Sequence, residues 1–130
     1  MKRITNSSDA VSLLYPIFNN LDHEEAWVLF LNADNKVICK EMVTKGTLTS
    51  TPLDARVVLK RSLMNNAVSI ILAHNHPSGN PYPSDSDIQQ TKTLRSACDL
   101  LTVNLLDHII VSDESYFSFA DSITSTTKES

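Results

Sequence analysis

Four residues in one short stretch of the chain have the types and the spacing of a metal centre: His74, His76, Ser84 and Asp87. The two histidines stand two positions apart, so in an extended segment their imidazoles project to the same side and can bind one ion. Asp87 can complete such a site. Two neutral nitrogens and one carboxylate suit zinc, and three protein ligands leave the fourth tetrahedral position for a water that can attack near neutral pH.

The neighbouring segments predict how these residues are positioned. Residues 68–73, VSIILA, are apolar and β-branched, which predicts a buried strand with the histidine pair at its carboxyl end. The prolines and the glycine of residues 77–83 then indicate an irregular loop. A helix follows, with Ser84 as its N-cap and Asp87 at the capping-box position. Capping alone would explain Ser84 and Asp87, but paired histidines beside such a loop have no packing role, so the combination indicates a metal site.

The same residues carry a resemblance to a known family. The stretch HNHPSG, residues 74–79, is followed by Pro83, Ser84 and Asp87 in the pattern PS-x-x-D. This pattern resembles the fingerprint of the RadC family, within the JAMM (MPN-type) metallohydrolases, and the similarity extends over most of the chain. It implies an α/β fold, a single-domain mixed β-sheet flanked by helices with cytidine-deaminase-like layering. The expected domain covers residues 1–122, and residues 123–130 form a polar C-terminal tail.

The resemblance also implies roles for individual residues. Zinc is expected on His74, His76 and Asp87. Ser84 is expected to donate a hydrogen bond to the developing oxyanion of the substrate. The family further places a glutamate from an early strand next to the metal-bound water, and counting back from VLFLN gives Glu24.

The identity of this glutamate stays open among three residues. Alternation along EEAWVLFL puts Glu24 and Glu25 on opposite faces of the strand, so only one of them can point at the metal. Glu41, in VICKEMV, is a third candidate because that run also predicts a strand. Any of them could instead be a solvated carboxylate. Glu24 is favoured by the resemblance and by the need for a base within hydrogen-bond reach of the water.

The order of elements predicted along the chain is α-β-β-α-β-α-β-β, which is typical of an α/β domain rather than of a bundle or a sandwich. A helix is expected over residues 8–20, and strands near 25–32 and 36–44 are expected to form a hairpin. The second helix is predicted to begin with Thr51 as N-cap and Asp54 at the capping-box site. The last two strands are NLLDHIIVS and YFSF.

Composition and charge restrict the class of protein. A chain of 130 residues, 42% hydrophobic, can bury one core but not two. A net charge of −4 argues against a broad phosphate-binding surface, and the basic cluster Arg56, Lys60 and Arg61 is expected to be a solvated helix face. The apolar runs are too short to span a bilayer, and the N-terminus lacks the pattern of a secretion signal. A cytoplasmic location is therefore expected.

The remaining cysteines and histidines have structural interpretations. Cys39 and Cys98 are expected to be buried free thiols, because neither has ligand spacing to the histidine pair. Asp107 and His108 are neighbours on a predicted strand and so point to opposite faces, which makes His108 a hydrogen-bonded structural histidine rather than part of a relay. His23 lies in a charged turn and is expected to be exposed.

Three classes of function follow from these observations. The first is a zinc-dependent hydrolase, a JAMM-type metallopeptidase or isopeptidase that attacks an amide bond of a peptide or protein substrate with an activated water. The second is a DNA-repair-associated RadC-like factor without peptidase activity, which would reach nucleic acid only through a partner because the chain is acidic and has no room for a helix-hairpin-helix region. The third is a non-catalytic binding module in which the metal braces a loop.

Overall fold

The computed structural model describes residues 1–122, so the tail predicted for residues 123–130 lies outside the described part. The elements in chain order are α1 Ser7–Phe18, β1 Glu25–Leu31, β2 Val37–Lys45, α2 Ala55–Met64, β3 Ser69–Asn75, α3 Asp85–Leu100, β4 Asn104–Val111 and β5 Tyr116–Ser118. This is the predicted order, and the α/β fold class is confirmed. Among residues 1–122, none of the helices combines the length and the hydropathy needed to span a bilayer.

The strands form one mixed sheet in the order β2-β1-β3-β4-β5. β3 occupies its centre, antiparallel to β1 and parallel to β4. β2 pairs with β1 as the predicted hairpin, and β5 pairs antiparallel with β4. Every residue of β3 is buried, in agreement with its continuous apolar sequence. The strand that carries His74 is therefore both central and fully buried.

Each face of the sheet packs against different helices. Val28 and Phe30 of β1 and Leu72 of β3 belong to a core shared with α2 and α3. Leu29 and Ile71, their neighbours in sequence, belong to a second core shared with α1. Side chains alternate between the two faces along a strand. This division therefore shows on which face of the sheet the other residues of β1 and β3 lie.

Helix α2 begins later than the sequence predicts. Thr51 is not its N-cap, because the backbone N–H of Thr51 donates to the carbonyl of Thr47 in a preceding turn, at 2.7 Å. Asp54 caps the helix instead, and its carboxylate accepts from the backbone N–H of Arg56 at 2.9 Å. Aspartate is at least as good an N-cap as threonine, so the residue predicted at the capping-box site is itself the N-cap.

The two cysteines differ in burial. Cys98 is buried in the core under α3 as a free thiol, which confirms the prediction, whereas Cys39 is only half-buried. Burial raises the pKa of Cys98 to about 11, so its thiol stays protonated at neutral pH. Neither cysteine contributes to the histidine site.

Two leucines of α3 provide a matched test of the core. Leu94 is 1% exposed and Leu100 is 85% exposed. We expect Leu94→Ala to lower the free energy of unfolding by about 2–5 kcal/mol, because it leaves a cavity between α3 and the sheet. Leu100→Ala is expected to change it by less than about 0.5 kcal/mol. Urea denaturation measures both, and equal effects of the two substitutions would contradict the packing described here.

Candidate metal centre

The histidine pair lies at the carboxyl end of β3. His74 is buried and pairs with Ala26 of β1 on one side and with Ile110 of β4 on the other. His76 follows the strand, and its backbone N–H donates to the carbonyl of Val111 at 2.9 Å. The two rings meet edge to face, and their Nε2 atoms are 3.0 Å apart. The spacing of two residues therefore brings both imidazoles to one point, as alternation along an extended segment predicts.

Helix α3 brings Asp87 to the same point. Its Oδ1 lies 3.3 Å from Nε2 of His74, and its Oδ2 lies 3.2 Å from Nε2 of His76. The predicted capping box is also present, since the backbone N–H of Ser84 donates to Oδ2 of Asp87 at 2.8 Å and the Ser84 hydroxyl accepts from the Asp87 N–H at 3.1 Å. One carboxylate thus caps the helix and faces both imidazoles, so the structural and the metal-binding interpretations of Ser-x-x-Asp are compatible.

The separations among these ligand atoms fit zinc. With Zn–N bonds of about 2.0–2.1 Å, two ligand atoms of a tetrahedral shell lie about 3.3 Å apart. Nε2 of His74 and Nε2 of His76 are 3.0 Å apart, and they lie 3.3 and 3.2 Å from the two different carboxylate oxygens of Asp87, Oδ1 and Oδ2 respectively. Nδ1 of His76 lies 2.9 Å from the carbonyl oxygen of Asn80. Because a carbonyl only accepts, Nδ1 carries a proton, and in the neutral ring Nε2 therefore presents its lone pair to the site.

The electrostatics of the site favour a positive charge beside Asp87. Burial raises the pKa of Asp87, but interactions with the neighbouring His74 and His76 side chains outweigh it and hold that pKa well below its usual range. The Asp87 hydrogen bond is also the main reason that the pKa of His76 is raised. The carboxylate is thus ionised at neutral pH, and its neighbours compensate its charge.

Glu24 is the glutamate that the fold places beside the histidine pair. It immediately precedes β1 and continues the face of Ala26, the strand partner of His74. Ligand atoms of Glu24, His74 and His76 all lie within 4.8 Å of one another. Glu24 and Asp87 could each complete the ligand set, but Asp87 is closer to both Nε2 atoms. The predicted division of roles, with Asp87 as the ligand and Glu24 beside the water, is compatible with these positions and stays a prediction.

The two other candidate glutamates have partners elsewhere. Glu25 lies on the opposite face of β1, where its carboxylate contacts Nε2 of His23 at 2.7 Å and accepts from the Trp27 indole N–H at 2.9 Å. Glu41 accepts from the Asn65 side chain at 2.8 Å. His23 is half-buried rather than exposed as predicted, because it bridges Glu25 and the preceding aspartate.

His108 is a buried, hydrogen-bonded histidine, as predicted. Asp107 does not form a relay with it, because its carboxylate accepts from the Ser118 hydroxyl at 2.6 Å. Burial holds the pKa of His108 well below its usual range, so the ring is neutral. Sequence analysis missed the two partners of this ring, which are Nδ1 of His74 at 2.8 Å and the Thr91 hydroxyl at 2.5 Å.

A signal for these contacts exists in the sequence. Thr91 stands four residues after Asp87, which places both on one face of α3. His108 stands two residues before Ile110, the β4 residue opposite His74, so it faces the same side of the sheet as His74. Using this signal requires the register between β3 and β4, which the sequence does not give.

The basic cluster of α2 makes mostly local contacts. Arg56 and Lys60 are exposed, as expected for a solvated helix face, and Arg56 pairs with its neighbour Asp54. Arg61 is half-buried and donates to the carbonyl of Met42 at 2.7 Å. Two of the three cations thus have local partners.

Comparison with known proteins identifies the family. The sequence matches the family described as RadC-like JAB domain over residues 4–124. The chain belongs to this family. Its mixed sheet flanked by helices is consistent with the JAB/MPN-type fold. JAB domains are often metal-dependent hydrolases and often bind zinc, and the cluster of ligand atoms at the end of β3 is where this RadC-like JAB domain could hold a metal.

The relatives of this RadC-like JAB domain are longer proteins. A protein named "UPF0758 protein" from Flavobacterium johnsoniae is 48% identical over 121 residues, which are 93% of this chain and 53% of that protein. One of the same name from Porphyromonas gingivalis is 43% identical over 119 residues, 91% of this chain and 52% of its own. One from Leptothrix cholodnii is 50% identical over 101 residues, 78% of this chain and 46% of its own. The chain therefore spans about half the length of these relatives, whose names state no activity.

Substitution of the predicted ligands tests the candidate metal centre. We expect the purified protein to bind about one zinc ion per chain, and His76→Ala and Asp87→Asn to lose it. Asparagine is chosen because it can still cap α3 while lacking the charge. His23→Ala, a histidine on the opposite face of the sheet, serves as the control and should keep its zinc. Elemental analysis after dialysis measures the zinc content of each variant. Full zinc occupancy in both His76→Ala and Asp87→Asn would contradict the prediction that these residues are ligands.

Proposed function

We propose that the chain is a zinc-dependent hydrolase that cleaves an amide bond of a peptide or protein substrate. The observation that carries this proposal is the convergence of Nε2 of His74, Nε2 of His76 and the Asp87 carboxylate within 3.3 Å, with Glu24 alongside. Bound zinc supplies a Lewis acid that lowers the pKa of a water to about 7 and polarises a carbonyl oxygen. His74, His76 and Asp87 would hold it.

Glu24 has the position of the general base. Its carboxylate lies on the same face of the sheet as His74, within reach of the space in front of the histidine pair. In the proposed reaction it accepts a proton from the attacking water as the water oxygen bonds to the amide carbon. When the carbon–nitrogen bond breaks, Glu24 returns that proton to the leaving amine. The base then regains its ionised form, so the cycle is balanced.

Ser84 has the position of an oxyanion donor. Its hydroxyl accepts the cap hydrogen bond from the Asp87 N–H with a lone pair, and it keeps its own proton to donate. Ser84 is exposed, so a substrate can approach it. It also stands at the amino end of α3, where the helix dipole stabilises negative charge. These features support a role in stabilising the oxygen of the tetrahedral intermediate.

Replacement of Glu24 separates a base from a ligand. We expect Glu24→Gln to keep its zinc but to lower kcat by about 10²–10⁴-fold, because glutamine cannot accept the proton. Glu25→Gln is the matched control, since Glu25 lies on the opposite face, and it should retain turnover. Cleavage of a fluorogenic peptide library that includes isopeptide-linked substrates, with and without a chelator, measures both.

The same assay distinguishes the alternatives to this proposal. Turnover by Glu24→Gln equal to that of the unaltered chain would remove Glu24 from the mechanism. A zinc-loaded chain that cleaves no substrate in the library would instead favour a binding module in which the metal braces a loop.

Two substitutions at Ser84 test its role as a donor. Ser84→Ala is expected to lower kcat by about 10²–10³-fold, the usual effect of removing one oxyanion donor, and to cost about 1 kcal/mol of stability through the lost cap. Ser84→Thr keeps a hydroxyl that can cap and donate, so most of the activity should return. Steady-state kinetics and thermal unfolding give the two readouts. If kcat is unchanged in Ser84→Ala, the role of Ser84 is limited to capping α3.

A further inference from the structure

A chain of hydrogen bonds runs from the backbone of α3 to the far side of the His74 ring. The Thr91 hydroxyl donates to the carbonyl of Asp87 at 2.7 Å. The same hydroxyl oxygen lies 2.5 Å from Nδ1 of His108, and Nε2 of His108 lies 2.8 Å from Nδ1 of His74. All four residues are buried. The proposed mechanism does not use Thr91 or His108.

The direction of each hydrogen bond in this chain follows from counting protons. A hydroxyl has one proton, and that of Thr91 is given to the Asp87 carbonyl, which can only accept. Thr91 must therefore accept from His108, so Nδ1 of His108 carries a proton. A neutral imidazole has only one such proton, so Nε2 of His108 accepts from Nδ1 of His74. Nε2 of His74 is then left with a lone pair, directed at His76 and Asp87.

We propose that Thr91 and His108 are positioning residues that fix His74 in the tautomer able to bind a metal through Nε2. If the Thr91 hydroxyl pointed at His108 instead, both rings would reverse, and Nε2 of His74 would carry a proton towards the site. The backbone carbonyl of Asp87 prevents this reversal because it takes the Thr91 proton. The tautomer of His74 is independent of the proposed function. Only the expected effect on the affinity of the site for zinc rests on that function.

Helix α3 connects the two proposed ligands Asp87 and His74. Asp87 supplies its carboxylate to the front of the site and its carbonyl to the chain behind His74. Packing alone does not require such a chain, since an apolar side chain could fill the space of His108 without the cost of burying polar atoms. Outer hydrogen-bond partners that orient ligating histidines typically change metal affinity by about 10–100-fold when they are removed.

Histidine NMR on the metal-free chain tests the tautomer directly. Long-range ¹H–¹⁵N correlation spectra of ¹⁵N-histidine-labelled, chelator-treated protein at about pH 8 show which ring nitrogen of each neutral histidine carries the proton. We expect His74 and His108 to be protonated at Nδ1. Thr91→Val has nearly the same volume but no hydroxyl, so it removes the acceptor for His108 and should shift both rings towards the Nε2-protonated form. Thr91→Ser keeps the hydroxyl and should restore the original spectrum.

Zinc affinity provides the second readout. Competition titration with a chromophoric chelator should show zinc binding about 10–100-fold weaker for Thr91→Val, and close to that of the unaltered chain for Thr91→Ser. His108→Gln should also bind zinc well, because its amide can donate to Thr91 and accept from His74. Thermal unfolding confirms that each variant is folded at the temperature used.

The outcomes separate this inference from the proposed function. A Thr91→Val variant that keeps both the tautomers and the zinc affinity of the unaltered chain would overturn the inference, as would protonation of His74 at Nε2 in the unaltered chain. An unaltered chain with the expected tautomers but no affinity for zinc would support the positioning role and overturn the proposed function instead.

Discussion

The site depends on one buried carboxylate that has two tasks. Asp87 accepts the backbone N–H of Ser84 at the start of α3 and contacts both imidazoles at the end of β3. A buried, ionised carboxylate is costly unless hydrogen bonds and a positive charge compensate it. Here the backbone N–H of Ser84 provides a hydrogen bond at the start of α3, and the raised pKa of His76 favours a positive charge beside the carboxylate. The position of α3 over the sheet and the geometry of the site are thus set by the same interaction.

The remainder of the fold holds the two sides of this interaction in place. The histidine pair extends from the central strand, whose neighbours on both sides fix its register. Helix α3 packs through Leu94 and Cys98 against the core formed by β1 and β3. The antiparallel pairing of β1 with β3 then places Glu24 next to His74. The residue that precedes β1, the histidine pair and helix α3 therefore meet at the carboxyl end of the central strand.

Local sequence patterns predicted most of this arrangement. The order of the elements, the buried strand before the histidine pair and the capping box at Ser84 follow from periodicity and turn chemistry, which act over a few residues. The start of α2 was predicted at Thr51 and lies after Asp54, because both residues can cap and the sequence pattern does not show that Thr51 belongs to a preceding turn. The cytoplasmic location stays a prediction from the sequence.

What the sequence did not predict depends on contacts between distant segments. His108 and Thr91 lie 17 residues apart, and their hydrogen bond forms only when β4 is aligned with β3 and α3 lies over both. The half-buried state of His23 likewise requires Glu25 to be turned away from the site. Which of Glu24 and Glu25 faces the histidine pair could be determined only when the two faces of the sheet were assigned to different helices.

A crystal structure of the zinc-loaded protein with anomalous data at the zinc edge tests the central claim most directly. We predict one peak bonded to Nε2 of His74, to Nε2 of His76 and to a carboxylate oxygen of Asp87, with Glu24 near but not bound. A peak bonded to Glu24 in place of Asp87, ligation through a Nδ1 atom, or no peak at this edge of the sheet would contradict it.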